Sequence, residues 1–329
     1  MRSDLPKSLL KSVALILTAL GLAATLWLIG ATGAAEVFGS VARIGSVGFL
    51  TMIVWTGVNL CILGAAWLAV APGIARGQLG TFAWARTTRE AATDLLPFSQ
   101  IGGLLVGAHT ATRGGIRASL VYASLIADQT TELAAQLVFS LFGIALLLIM
   151  LSDGSAAVGV LPLALGGGAL MLAIMAGFTF AQRPLIGMAE GLARRLLPAA
   201  VASMNAMRLE LDAIYRERGR VITAFLLHLV AWVFGAAGSW VALNFMGVSI
   251  GLGPVLMVEA LIFTLRTVAF AIPGGIGVQE GAYVLLAPLI GLPPETALAL
   301  SLIKRARDIV IAVPTLLIWQ VGEARRVVS

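Results

Sequence analysis

Residues 254–290 read PVLMVEALIFTLRTVAFAIPGGIGVQEGAYVLLAPLI. An apolar helix carrying Glu259 and Arg266 breaks at Pro273-Gly274-Gly275-Ile276-Gly277 and then resumes. Proline removes a backbone donor and collides with the turn before it, and glycine weakens a helix, so the helix does not pass this point intact. Hydrocarbon offers no partner for the backbone groups that such a break exposes. Broken helices therefore occur at membrane depth only where protein or a wet cavity covers them. The stretch is predicted to be a re-entrant helical hairpin, and flanks without Lys or Arg predict entry from outside.

Working outward, 79–112 has the same plan: a helical segment with Arg86, Arg89, Glu90 and Asp94, then Pro97, then Gly102-Gly103. Its flanks are basic, so this hairpin is predicted to enter from the cytoplasm. Pro97 and Pro273 lie 176 residues apart, and span 46–71 shifted by that amount falls on 222–247. Ser124-Leu125-Ile126 recurs, one residue out of step, as Ser301-Leu302-Ile303. A span, a broken hairpin and a span with internal charges thus recur in order, with hairpins opening in opposite directions. Inverted repeats with interrupted helices are a recurrent transporter plan, with the substrate site near midplane. The expected fold is all-α, a polytopic membrane helix bundle of two inverted repeats, each containing a Pro/Gly-broken re-entrant helical hairpin.

Composition agrees. Of 329 residues 59% are hydrophobic and only 12% charged, against about a quarter charged in a soluble domain. Uncharged runs at 12–35, 44–75, 133–152, 154–182 and 221–258 can each cross a bilayer, which takes roughly 20 residues of helix. The N-terminal apolar run exceeds the roughly 7–15 residues of a signal-peptide core, so it is read as a retained helix. Six spans are expected, at about 9–31, 46–71, 118–151, 156–181, 219–246 and 296–321 of one membrane domain covering 1–329. Repeat one covers 46–151 and repeat two 219–321, and 182–218 is expected to form helices on the cytoplasmic face. Seven arginines in 182–220 fix that segment inside, and both termini read as cytoplasmic, in the inner membrane. The net charge of +6 records this orientation; nucleic acid is excluded as a partner. One cysteine, Cys61, permits no intrachain disulfide.

Ionisable residues placed deep in the spans narrow the function. Asp128 lies about 15 Å into its helix at 1.5 Å per residue, with Glu132 one turn deeper. Lys304, Arg305, Arg307 and Asp308 sit at comparable depth, and Arg266 lies in the second hairpin. Facing lipid, seven such charges would together cost roughly 20 kcal/mol, more than the stability of most domains, so they must face one another or water. One reading is structural: Asp128 or Glu132 pairs with Arg305 or Arg266, Lys304 with Asp308, and Glu90 with Arg86. The other is functional: Arg86, Arg89, Arg266, Arg305 and Arg307 bind an anionic head group, since guanidinium grips phosphate bidentately. His109 and His228, the only histidines, fall in different elements, so no histidine metal site or cofactor is expected. No nucleophile–base constellation is evident, so the chain is not expected to be an enzyme. The competing readings are a lipid-acting membrane enzyme using Asp128 and Glu132 as acid and base, and a scaffold for lipid-synthesis proteins.

Four stretches carry a resemblance: Trp84-Ala85-Arg86, the run Leu95 to Gly103, Asp128-Gln129-Thr130-Thr131-Glu132, and Pro273 to Gly281. Together they resemble the hopanoid-biosynthesis-associated membrane proteins, part of a wider group similar to the transmembrane flippase domain of lysylphosphatidylglycerol synthases. The resemblance implies a lipid-translocating or lipid-binding module, with a narrower link to hopanoids. It extends the substrate-contacting set to Arg86, Arg89, Glu90, Pro97, Gln100, Gly102, Gly103, Asp128, Glu132, Arg266, Pro273, Gly274, Gly275, Gly277, Glu280, Arg305, Arg307 and Asp308. The expected partner is a membrane lipid, with lipid-biosynthesis proteins and a second copy of the chain left open. The soluble aminoacyl-transferase domain of such synthases is absent from these residues. His109 also stands where the family pattern has arginine, which puts a basic contact at the hairpin's end in question.

Overall fold

A computed structural model describes residues 19–20, 22–95, 99–152, 161–196, 198–268 and 276–328. Among these residues the fold is helical with no strand. The helices are α1 (Leu22–Thr32), α2 (Ala34–Arg43), α3 (Gly45–Ala69), α4 (Leu79–Leu95), α5 (Ser99–Arg113), α6 (Ala118–Ser152), α7 (Leu161–Leu196), α8 (Pro198–Arg216), α9 (Arg218–Phe245), α10 (Leu252–Val268), α11 (Val278–Leu286) and α12 (Pro294–Val328).

Four helical stretches are long and apolar enough to cross a membrane: Gly45–Ala69, Ala118–Met150, Leu165–Gln182 and Arg218–Phe245. The pair α1 and α2, bent by 94°, makes a fifth if it counts as one broken span. The spans present Val54, Val58, Leu148, Ile149, Leu226 and Val230 outward. A face that apolar is what a lipid-embedded helix shows and a water-facing one does not.

Three boundaries bear on the sequence reading. The first span does not end in a loop near residue 31: at Gly33, φ +92°, the chain turns into α2. Only a residue lacking Cβ takes this turn freely, and a Cβ there would lie 2.3 Å from the Glu36 carboxylate. The span expected to end at 181 closes at Gln182, while the helix itself continues through Pro184 to Leu196. Gln182 is buried at the end of the span as a polar tie. It donates to Thr130 on α6 at 2.8 Å and accepts from Tyr215 on α8 at 2.9 Å. The predicted span 296–321 lies inside the longer α12, which runs to Val328. Its internal charges keep it below the apolar threshold the other spans meet.

The spacing of 176 residues between the two prolines is met again at helix ends: Ala69 and Phe245, Ala118 and Pro294, Ser152 and Val328. Helices α4 and α5 form an antiparallel hairpin, and α10 is followed by α11 in the same place of the second half. One core joins Trp67, Phe82, Ala108 and Leu120 of the first half with Ile214 of α8 and Ala224 of α9. Another joins Met52, Leu147, Leu243, Val258, Tyr283 and Leu300 around the second hairpin. Helices α6 and α9 contribute to both, and between them lies a small aromatic cluster of Phe139, Trp232 and Phe263.

Candidate functional site

The first hairpin owes its tightness to α5 glycines. A Cβ on Gly107 would lie 2.9 Å from Arg89 Cβ, and one on Gly103 would lie 2.7 Å from the Arg89 carbonyl oxygen. Pressed this closely, α4 turns Arg86 and Arg89 toward α6. Arg86 donates to Glu132 through both terminal nitrogens, at 3.0 Å from Nη1, and to Glu90 at 2.9 Å. Arg89 reaches Asp128 at 3.2 Å, and Glu132 and Gln129 at 2.9 Å each. From α9, His228 Nε2 lies 2.9 Å from Asp128 Oδ1. Asp128 and His228 are fully buried and Arg86 nearly so. The terminal nitrogens of Arg86 and Arg89 are thus engaged, mostly by carboxylates, and not open to a ligand.

The second half holds a counterpart of opposite polarity. Lys304 on α12 donates to Glu259 on α10 at 2.8 Å, to Tyr283 on α11 at 2.7 Å and to Ser239 on α9 at 3.1 Å. The Tyr283 hydroxyl in turn donates to Glu259. Beside this cluster, the Gly277 amide (φ +83°) donates to Glu280 at 2.8 Å, and Glu280 accepts from Arg305 and Ser301. Glu280 thus fixes the start of α11 and ties it to α12.

These partners differ from the sequence expectation. Asp128 and Glu132 pair with Arg86 and Arg89, not with Arg305 or Arg266; Lys304 pairs with Glu259, not with Asp308. The Glu90–Arg86 pair is as expected. Sequence reasoning noted Glu259 only as a charge on a broken helix and overlooked Tyr283. The available signal was that Glu259 and Lys304 carry opposite charges on consecutive predicted elements.

A third group lies where α4, α10 and α12 meet. Asp94 is within electrostatic reach of Arg266, Arg307, Asp308 and Glu90. Arg307 holds its neighbour Asp308 at 2.6 Å. Arg266 is half-buried, and no hydrogen bond or ion pair reaches it among the described residues. Of the remaining expected contacts, Gly102 faces open space and Gly103 is packed against α4. Pro97, Pro273, Gly274 and Gly275, and the side chain of Gln100, lie outside the described residues. His109 meets Glu323 of α12 at 3.0 Å, and Arg113, one turn on, reaches the same carboxylate at 3.6 Å. The hairpin's basic contact is therefore supplied one turn beyond the position the family pattern suggests.

One oxygen or nitrogen from each of Asp128, Glu132 and His228 falls within a 4.8 Å group. Two guanidiniums already occupy those carboxylates, and a divalent ion there would be held against two fixed positive charges. The donor set does not suit a metal.

Among known proteins, the family model for the lysylphosphatidylglycerol synthase TM region matches residues 12–315. Comparisons with curated proteins and with solved structures return no match.

Proposed function

We propose, from the premise that this chain belongs to the lysylphosphatidylglycerol synthase TM region family, that it carries a polar lipid across the bilayer. It is a multi-pass membrane protein connected with lipid handling. In the proposed reading the head group enters the charged rim between the hairpins while the acyl or polycyclic tails stay in the bilayer. The observation that carries this is Arg266: a half-buried guanidinium with no described hydrogen bond or ion-pair contact, within electrostatic reach of Asp94 where both halves meet. A cation withdrawn from water without a partner is costly, and a phosphate or other anionic head group would supply two charge-assisted hydrogen bonds. Asp94 and Asp308 at the same rim would position a cationic or hydroxyl-bearing portion of the head group. The common 176-residue register of the two halves supports an inverted pair, with cytoplasmic termini in the inner membrane and one half rocking against the other.

The test is reconstitution into liposomes with fluorescent anionic, zwitterionic and hopanoid lipids. Transbilayer movement faster than in protein-free vesicles is expected for at least one class; movement no faster for every class overturns the reading. A lipid-acting enzyme has less support, because Asp128 and Glu132 are tied to guanidiniums. A product formed from lipid by the purified protein would favour that alternative.

A further inference from the structure

The two buried clusters are joined by a track of polar atoms, several without a partner. In the first cluster Glu90, Asp128 and Glu132 face only Arg86 and Arg89, which leaves one negative charge in excess if His228 is neutral. His228 is the one further titratable side chain hydrogen-bonded to this cluster among the described residues. Its Nε2 is committed to Asp128, but its buried Nδ1 has no hydrogen-bond partner, and neither does Arg86 Nε. Buried polar atoms are nearly always satisfied, by water where protein provides nothing.

The same deficiency continues toward the second cluster. Along α6, Asp128, Glu132, Gln136 and Ser140 recur every fourth residue, each neighbouring the next along a line that winds slowly around the helix. Along α9, His228, Trp232 and Ser239 do much the same, spanning about 16 Å at 1.5 Å per residue. Ser140 Oγ and Trp232 Nε1 are buried without partners. Ser239 ends the track on Lys304, which contacts Glu259 and Tyr283.

We infer that His228 with Asp128 is a proton-binding site, reached by water along α6 and α9 from the Lys304–Glu259–Tyr283 cluster, and that the lipid movement proposed above is coupled to it. This coupling rests on the transport reading; the proton site does not. The step is simple in its balance. One proton from water adds to the free Nδ1, the ring becomes imidazolium, and its Nε2–H stays on Asp128. Three positive then face three negative charges. The ring now competes with Arg89 for Asp128, so loading loosens the grip of α4 on α6. The charged groups around the ring are Arg86, Arg89 and Glu90 from α4 and Asp128 and Glu132 from α6. From α8, Tyr215 joins Thr130 and Gln182 nearby, and α10, α11 and α12 contribute Glu259, Tyr283 and Lys304 at the far end.

With only two histidines in the chain, nitrogen-15 imidazole NMR of a His109→Gln protein reports on His228 alone. The ring nitrogen signals are expected to change with pH as the proton is taken up, and a ring fixed in one tautomer at every pH at which the protein stays folded overturns the proton site. In proteoliposomes, an imposed pH gradient is expected to change the translocation rate several-fold, and His228→Gln to remove that response. A wild-type rate indifferent to the gradient, or a response kept in His228→Gln, overturns the coupling. If His228→Gln does not fold, Asp128→Asn takes its place and must lose the response. Were no lipid to move under any condition, the transport reading would fall, and the NMR titration would still decide the proton site.

Discussion

Asp128 and Lys304 are each the eleventh residue of a 35-residue helix, counted from Ala118 and Pro294, and they carry opposite charges. Each is buried, and each is met by the opposite charge from the first arm of its own hairpin: Arg86 and Arg89 for Asp128, Glu259 for Lys304. The two halves share a scaffold and invert its polarity.

Breaking the second pair from one side strands a charge in the core. Glu259→Gln or Lys304→Met alone is expected to cost about 3–5 kcal/mol, whereas the double substitution should restore most of it, since an apolar or neutral replacement of a whole buried pair is near neutral. Denaturation of the detergent-solubilised variants as a double-mutant cycle measures this; additive losses would show that the pair is not coupled.

Adjacent glycines should respond with opposite signs. Gly102 faces open space, so Gly102→Ala is expected to stabilise by up to about 1 kcal/mol through helix propensity. Gly103→Ala would place Cβ 2.0 Å from Thr93 Oγ1 and 2.7 Å from a backbone oxygen, and should cost about 1–3 kcal/mol through overpacking. Thermal unfolding of the two variants decides it, and equal shifts would mean that α4 and α5 are not packed this closely.

Arg266→Ala removes no described ion pair, so the lipid-free protein should keep its melting temperature within a degree or two. Stabilisation by an anionic lipid should fall, consistent with the loss of about 1.5–3 kcal/mol of charge-assisted hydrogen bonding. Lipid titration followed by differential scanning fluorimetry checks this, and undiminished stabilisation would separate Arg266 from the head group.

His109→Arg should make the contact with Glu323 permanent, adding no more than about 1 kcal/mol because the site is partly exposed. The gain should shrink in high salt. Melting curves at two ionic strengths test both statements.

The spans were legible because long apolar runs are bounded by charges. Predicted 118–151 and 219–246 fall within one residue of Ala118–Ser152 and Arg218–Phe245. Depth along a helix located Asp128 and Lys304. Depth says nothing of direction around the helix axis, so the partners were misassigned: Asp128 was matched to cations of α10 and α12, Arg266 and Arg305, when the glycines of α5 turn those of α4 toward it.

Helices α6 and α9 belong to both cores, so the two hairpins hang from a common spine. A displacement at one hairpin is therefore expected to strain the mounting of the other, and a coupling of this kind acts with equal free energy in both directions.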